Sequence, residues 1–180
     1  MKKTMSLTTL TALLLIASGS YAAPTAETEQ ASASLGAAKV SEVSFEAGKA
    51  TLTKEAQDEI RTTIQDAMKQ GKIGEVKAAV WADREYPVEE NKAPKQDVKL
   101  ASDRADALKK FIKDELKVKD VNTYNMAERP NALEKFVNTS DAKVKTAMEG
   151  SGAAPKTEKE KGLFNQKAQA SKAVIMIYVK

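Results

Sequence analysis

The most constraining feature of the sequence is a nearly uninterrupted apolar run at Ala173–Val179. A strand with apolar side chains on both faces is typical of the interior of a sheet that is covered on both sides. The run therefore predicts a buried C-terminal strand. Such a strand needs neighbouring strands and helices that cover it, so the sequence predicts a layered α/β (α+β) fold.

Helical and strand patterns alternate ahead of this run. Stretches with apolar positions at helical spacing alternate with short segments rich in β-branched residues. The predicted elements are strand Lys39–Phe45, helix Thr53–Gln70, strand Glu75–Trp81, helix Val98–Leu116, strand Val121–Met126 and helix Asn131–Met148. The pattern predicts one domain over residues 39–180, with helices packed on a mixed sheet.

The N-terminus has the pattern of a cleaved secretory signal over residues 1–22. Lys2 and Lys3 precede an apolar stretch, and residues 20–22 supply the small-x-Ala exit before the cut. The apolar stretch is shorter than the roughly 20 residues that a membrane span needs, which argues against a retained membrane helix. We also expect no transmembrane segment in the chain that remains after the signal is removed. Residues 23–38 are rich in Ala, Ser, Thr and Glu and predict a flexible leader. We expect an exported, periplasmic protein.

The composition limits the chemistry available to the chain. It contains no His and no Cys, which excludes thiol and histidine catalysis, Cys/His zinc sites and disulfides. The sequence has no calcium-loop motif, so we expect neither a metal nor another cofactor. The formal charge of +4 falls by two when the signal leaves, so nucleic acid is not indicated as a partner.

Arg104 breaks the pattern of the helix Val98–Leu116. With Leu100 at zero and 100 degrees per residue, Arg104 falls at about 40 degrees, inside the apolar stripe. A guanidinium stays charged, so an inward arginine needs a carboxylate, carbonyl groups or an anionic ligand. A structural ion pair, a side chain that reaches out to solvent and a ligand-binding role all remain open.

Two segments resemble signature motifs of the OmpA C-terminal-like domain family. Residues 43–53, VSFEAGKATLT, are similar to the family's first strand, small-residue turn and L-T helix start. Residues 100–105, LASDRA, resemble its L-S-x-x-R-A motif. The family's G-H-T-D strand end aligns with residues 80–83, and its N-R-R-V-x-I strand aligns with residues 171–176. The resemblance covers nearly all of the mature chain and implies a βαβαβ-type mixed sheet.

The resemblance also implies peptidoglycan binding. In the family, the strand-end Asp and the helix Arg clamp the zwitterionic end of diaminopimelate in the stem peptide. These positions correspond to Asp83 and Arg104, and a nearby family Asn corresponds to Asp97. We expect the side chains of Asp83 and Arg104 to meet and to remain partly exposed. A different role for Asp97, as the N-cap of its helix, stays open.

Several positions depart from the family pattern. The Thr of G-H-T-D is Ala82, and the Ser after the motif Leu is Ala101. Loss of these hydroxyl donors weakens a carboxylate pocket. Two functions therefore remain open: a non-enzymatic peptidoglycan-binding protein associated with the cell wall or the outer membrane, and an OmpA-like fold that has lost wall affinity and contacts envelope proteins as an interaction or stress module.

Other motifs carry less information. Ser140 and Lys143 match S-x-x-K of penicillin-interacting enzymes, but the companion motifs are missing. Glu89-Glu90 lies in a polar stretch, where adjacent carboxylates are typically solvated. An envelope hydrolase is the third and weakest hypothesis, and we expect no enzyme activity. The lysines between Lys109 and Lys119 are interleaved with acids, which is typical of a solvated helix face.

Overall fold

A computed structural model describes residues 23–83, 93–128, 137–154 and 171–180. The predicted signal at residues 1–22 lies outside the described residues and stays a prediction. Glu89-Glu90 and the first part of the helix predicted at Asn131–Met148 also lie outside them. Within the described segments, no helix is both long and apolar enough to cross a bilayer.

The described elements follow the predicted alternation of strands and helices. The strands are β1 (Lys39–Ser44), β2 (Ile73–Val80), β3 (Val121–Asn125) and β4 (Lys172–Val179). The helices are α1 (Ala26–Ser34), α2 (Lys54–Met68), α3 (Lys95–Lys110, continued by a π-helical turn at Phe111–Glu115) and α4 (Ser140–Gly150).

The four strands form one mixed sheet in the order β1-β4-β2-β3. Strand β4 pairs antiparallel with β1 on one side and with β2 on the other, whereas β2 and β3 are parallel. Residues Ala173 to Ile177 of β4 have no exposed surface. The prediction of a buried C-terminal strand in a mixed sheet is therefore confirmed.

The sheet is covered on both faces. Helices α2 and α3 cover one face, where Ile60, Leu108 and Ile175 belong to one apolar cluster. The other face holds a cluster with Trp81, Met148 and Met176, to which α1 and α4 contribute. This second layer explains why β4 has apolar residues at successive positions rather than at alternate ones.

Helix starts follow local chemistry. The Oγ1 of Thr53 accepts a hydrogen bond from the backbone N–H of Ala56 and caps α2, as the sequence predicts. Helix α3 begins at Lys95, three residues before the predicted start, after the N-cap residue Pro94. Asp97 therefore lies in the first turn of α3, and its expected alternative role as the N-cap is wrong.

The prediction of a flexible leader over residues 23–38 is wrong, because α1 lies inside that segment and packs on the body of the domain. Thr28, Ala31 and Ser32 are buried, and the Thr28 hydroxyl donates a 2.6 Å hydrogen bond to Glu42 of β1. Large apolar side chains are almost absent from α1, so its composition indicated disorder. Its small residues instead allow close packing, and Thr25 caps its start.

Candidate functional site

The candidate site forms where three chain segments meet at one end of the sheet. Asp83 lies just after β2, Ser171 lies just before β4, and Gly48 belongs to the turn that follows β1. Because β4 runs antiparallel to its two neighbours, the start of β4 lies beside the ends of β1 and β2. Arg104 reaches this end of the sheet from α3.

Arg104 is fully buried and joins these segments. Its Nη2 donates to Asp83 Oδ1 at 2.6 Å, across 21 positions of sequence. The guanidinium also donates to three backbone carbonyls, those of Glu46 (3.1 Å), Lys49 (2.8 Å) and Trp81 (2.9 Å). Carbonyls of two separate segments are thus satisfied by one side chain, which fixes the turn after β1 against the end of β2.

The structure brings Asp83 and Arg104 together, as expected, but it contradicts the expected exposure of Arg104. The arginine side chain is 0% exposed, whereas that of Asp83 is 32% exposed. The guanidinium also lies 4.9 Å from the ring centre of Phe45. These contacts match the structural ion pair that the helical position left open, rather than a clamp that faces solvent.

Asp83 accepts hydrogen bonds on both carboxylate oxygens. Oδ1 accepts from Ser171 Oγ at 2.6 Å as well as from Arg104, and Oδ2 accepts from the backbone N–H of Gly48 at 2.6 Å. Partial burial alone would raise the pKa of Asp83, but the hydrogen bonds from Ser171, Arg104 and Gly48 outweigh it and lower the pKa. Asp83 is therefore held as a partly exposed carboxylate.

Ser171 is a site residue that sequence reasoning did not single out. Its φ of 60° lies in the left-handed region, which few residues other than Gly and Asn adopt readily. Its backbone N–H donates to Ala82 at 2.7 Å while its hydroxyl binds Asp83. One sequence feature could have indicated Ser171. The alignment of residues 171–176 with N-R-R-V-x-I places an Asn of the family at this position.

Two of the positions that depart from the family pattern belong to a small apolar cluster. Ala82 and Ala101 have no exposed surface and pack with Ala127. Methyl groups in contact with one another replace the hydroxyl donors of the family motifs. Asp97 is half-buried in the first turn of α3 and directly precedes Val98, which packs against this cluster. Its proposed part in ligand binding stays a prediction.

The remaining candidates within the described residues lie on the exposed face of α4 or in the core. Ser140 and Lys143 are both exposed on α4. Trp81 is 2% exposed and lies 5.6 Å from the Lys172 ammonium, so it is a core residue and does not form an open platform for a sugar. In the part of the chain that the structure describes, no group of three or more acidic side chains is arranged to hold a metal ion.

The hydrogen bonds on Asp83 predict a pH-dependent contribution to stability. Because the folded-state pKa lies below the ordinary value of about 3.9, this contribution is fully present above that value and is lost as the pH falls through the folded-state pKa. We expect the free energy of unfolding of the wild type to exceed that of Asp83→Asn at neutral pH, and the gap to shrink below about pH 4.

Urea denaturation of both proteins across the acid range measures this gap. Asp106→Asn, on the exposed face of α3, is the matched control and should stay within about 0.5 kcal/mol of the wild type at neutral pH. A gap between the wild type and Asp83→Asn that stays constant through the acid range would show that Asp83 gains no stability from its charge.

The fold and the site together define an α/β domain with a mixed sheet and a buried Arg–Asp pair at one end of it. Neither a family model nor a curated protein matches the sequence. Among solved structures, the chain is similar to the OmpA-like domain of FopA1 from Francisella tularensis subsp. tularensis SCHU S4. The identity is 16% and the TM-score is 0.37, over 77% of this chain and 73% of that chain.

Proposed function

We propose that the protein is a non-enzymatic periplasmic domain that binds the stem peptide of peptidoglycan through the open part of the Asp83 carboxylate. The observation that carries this proposal is the state of Asp83, which is held ionised and is 32% exposed at the end of the sheet. A fixed carboxylate suits the ammonium group of a diaminopimelate-type residue, because a charge-assisted hydrogen bond is stronger than a neutral one.

In this proposal Arg104 is a positioning residue rather than half of a clamp. Its hydrogen bonds to three carbonyls and to Asp83 hold the carboxylate at the surface while the guanidinium stays inside. The ligand therefore meets the carboxylate and not the arginine. Association with the cell wall or the outer membrane would follow from stem-peptide binding.

The test is co-sedimentation of the purified mature protein with isolated sacculi. We expect Asp83→Asn to weaken binding by about 10- to 150-fold, the range for loss of a charge-assisted hydrogen bond worth about 1.5–3 kcal/mol. Asp58→Asn is the matched control, because Asp58 is also a partly exposed carboxylate that pairs with an arginine, here Arg61 of α2. The control should bind like the wild type.

Binding must be expressed per folded molecule, because Asp83→Asn also lowers stability. If a folded Asp83→Asn protein sediments with sacculi as well as the wild type does, Asp83 is not the contact. If both variants weaken binding equally, the interaction is a general effect of charge.

A second function is favoured by the cluster of Ala82, Ala101 and Ala127 and by the burial of Arg104. These features remove donors for a ligand carboxylate. They suit an OmpA-like fold that has lost wall affinity and contacts envelope proteins. A wild-type protein that is folded but does not sediment with sacculi would support this second function and overturn the first.

A further inference from the structure

The topology gathers lysines at the end of the sheet opposite Asp83. Strands β1, β2 and β3 run in the same direction and β4 runs against them, so the starts of three strands and the finish of β4 lie together. Helices α2 and α3 lead into β2 and β3, so their C-terminal turns lie at the same end. We call this end the basic pole. Its lysines are Lys39, Lys69, Lys72, Lys109, Lys110, Lys113, Lys117, Lys119 and Lys180.

Among the residues that the structure describes, acidic side chains at the basic pole are fewer than the lysines. They are Asp66, Glu75, Asp114, Glu115 and Asp120. Two of these acids form ion pairs with lysines, Asp66 with Lys69 and Glu75 with Lys77. In the described residues, nine lysines against five acids leave an excess of positive charge at the pole, which the near balance of the whole chain conceals.

Apolar side chains lie among these lysines. Met68, in the last turn of α2, is 51% exposed and is one of two large hydrophobic side chains that are exposed in the described residues. Ile73, Leu116 and Val179 at the same end are only partly buried. Apolar side chains that share one end of the sheet with many lysines match the interface of a bilayer, where apolar groups enter the headgroup region and lysines meet lipid phosphates.

We propose that the basic pole binds the surface of an anionic phospholipid membrane. Each lysine near such a surface adds to the attraction, and Met68 supplies a shallow apolar contact. Nucleic acid fits the pole less well. Within the described part of the chain, the pole has no exposed aromatic ring to stack on bases, and the neighbouring Arg61, whose guanidinium lies 5.8 Å from the ring centre of Phe111, pairs with Asp58.

This inference does not depend on peptidoglycan binding, and the two proposed contacts use opposite ends of the sheet. The protein could therefore touch a membrane with one end while Asp83 at the other end faces the wall. Because vesicles contain no peptidoglycan, a failure of sacculus binding leaves the vesicle experiment interpretable.

The test is co-sedimentation with vesicles of phosphatidylethanolamine and phosphatidylglycerol, compared with vesicles of phosphatidylcholine alone. We expect binding only to the anionic vesicles, with weaker binding as the salt concentration rises. Lys72→Gln/Lys119→Gln should weaken binding by about 30-fold, equivalent to about 2 kcal/mol for two charges. Met68→Ser should also weaken it.

The matched control is Lys54→Gln/Lys95→Gln, which removes two exposed lysines from the first turns of α2 and α3 at the other end of the sheet. This control should bind anionic vesicles like the wild type. Equal binding to both kinds of vesicle, or binding to neither, would overturn the proposal. Equal losses of vesicle binding in Lys72→Gln/Lys119→Gln and Lys54→Gln/Lys95→Gln would also overturn it. So would a Lys72→Gln/Lys119→Gln variant that loses binding to duplex DNA but keeps binding to anionic vesicles.

Discussion

Replacing Arg104 with Ala is expected to lower the free energy of unfolding by about 3–5 kcal/mol, as is typical when one partner of a buried charged network is removed. The guanidinium is fully buried and donates to three carbonyls as well as to Asp83. Its loss removes a donor from the carbonyls of Lys49 and Trp81, leaves the carbonyl of Glu46 with the N–H of Lys49, and opens a cavity beside Phe45. Thermal and urea denaturation measure the effect.

Arg61→Ala is the matched control for this prediction. Arg61 also pairs with an aspartate and lies near an aromatic ring, that of Phe111, but its side chain is 39% exposed. Exposed pairs of this kind contribute about 0–1 kcal/mol, so the control should lose little stability. If Arg104→Ala loses no more stability than Arg61→Ala but binds sacculi less well, Arg104 is a ligand contact and the positioning role is wrong.

Deleting residues 172–180 is expected to abolish cooperative folding. These residues form β4, which pairs with β1 on one side and with β2 on the other, so the deletion separates β1 from the rest of the sheet. The deletion also removes Ile175 and Met176, which contribute to the apolar clusters on opposite faces. We expect the urea denaturation profile to lack a sigmoidal transition and circular dichroism to show little ordered structure.

Val179→Ala is the control for the deletion, because Val179 is only partly buried at the end of the same strand. This variant should keep a sharp transition with a loss of about 1 kcal/mol or less. A sharp transition in the deleted protein would mean that β4 is peripheral to the core.

Elements with strong periodicity could be predicted from the sequence. The apolar run of β4 and the stripe of α2 with its Thr53 cap correspond to the observed strand and helix. Helix α1 could not be predicted, because it is stabilised by contacts of small residues with other parts of the fold. Those contacts become visible only when Thr28 is placed beside Glu42.

The candidate site could be predicted only in part. The helical position of Arg104 indicated that it needs a partner, and the motifs indicated Asp83. The other partners of Arg104 are backbone carbonyls up to 58 positions away, and any residue type presents such a group. No sequence pattern therefore predicts these carbonyl partners. The burial of Arg104 depends on them, so it could not be predicted either.

The place of β4 in the sheet has a consequence for the timing of folding. Among the described strands β4 is made last, yet both β1 and β2 need it as a neighbour. As the chain leaves the ribosome, β1 and β2 are made before β4, which lies between them in the sheet. The rule that N-terminal parts fold first therefore does not apply to this sheet. Closing the sheet needs contacts between residues more than a hundred positions apart, such as Lys39 with Ile177, which is a slow step. The described sheet therefore cannot close until β4 has been synthesised, so the folding of β1 and β2 is coupled to a segment made after both of them.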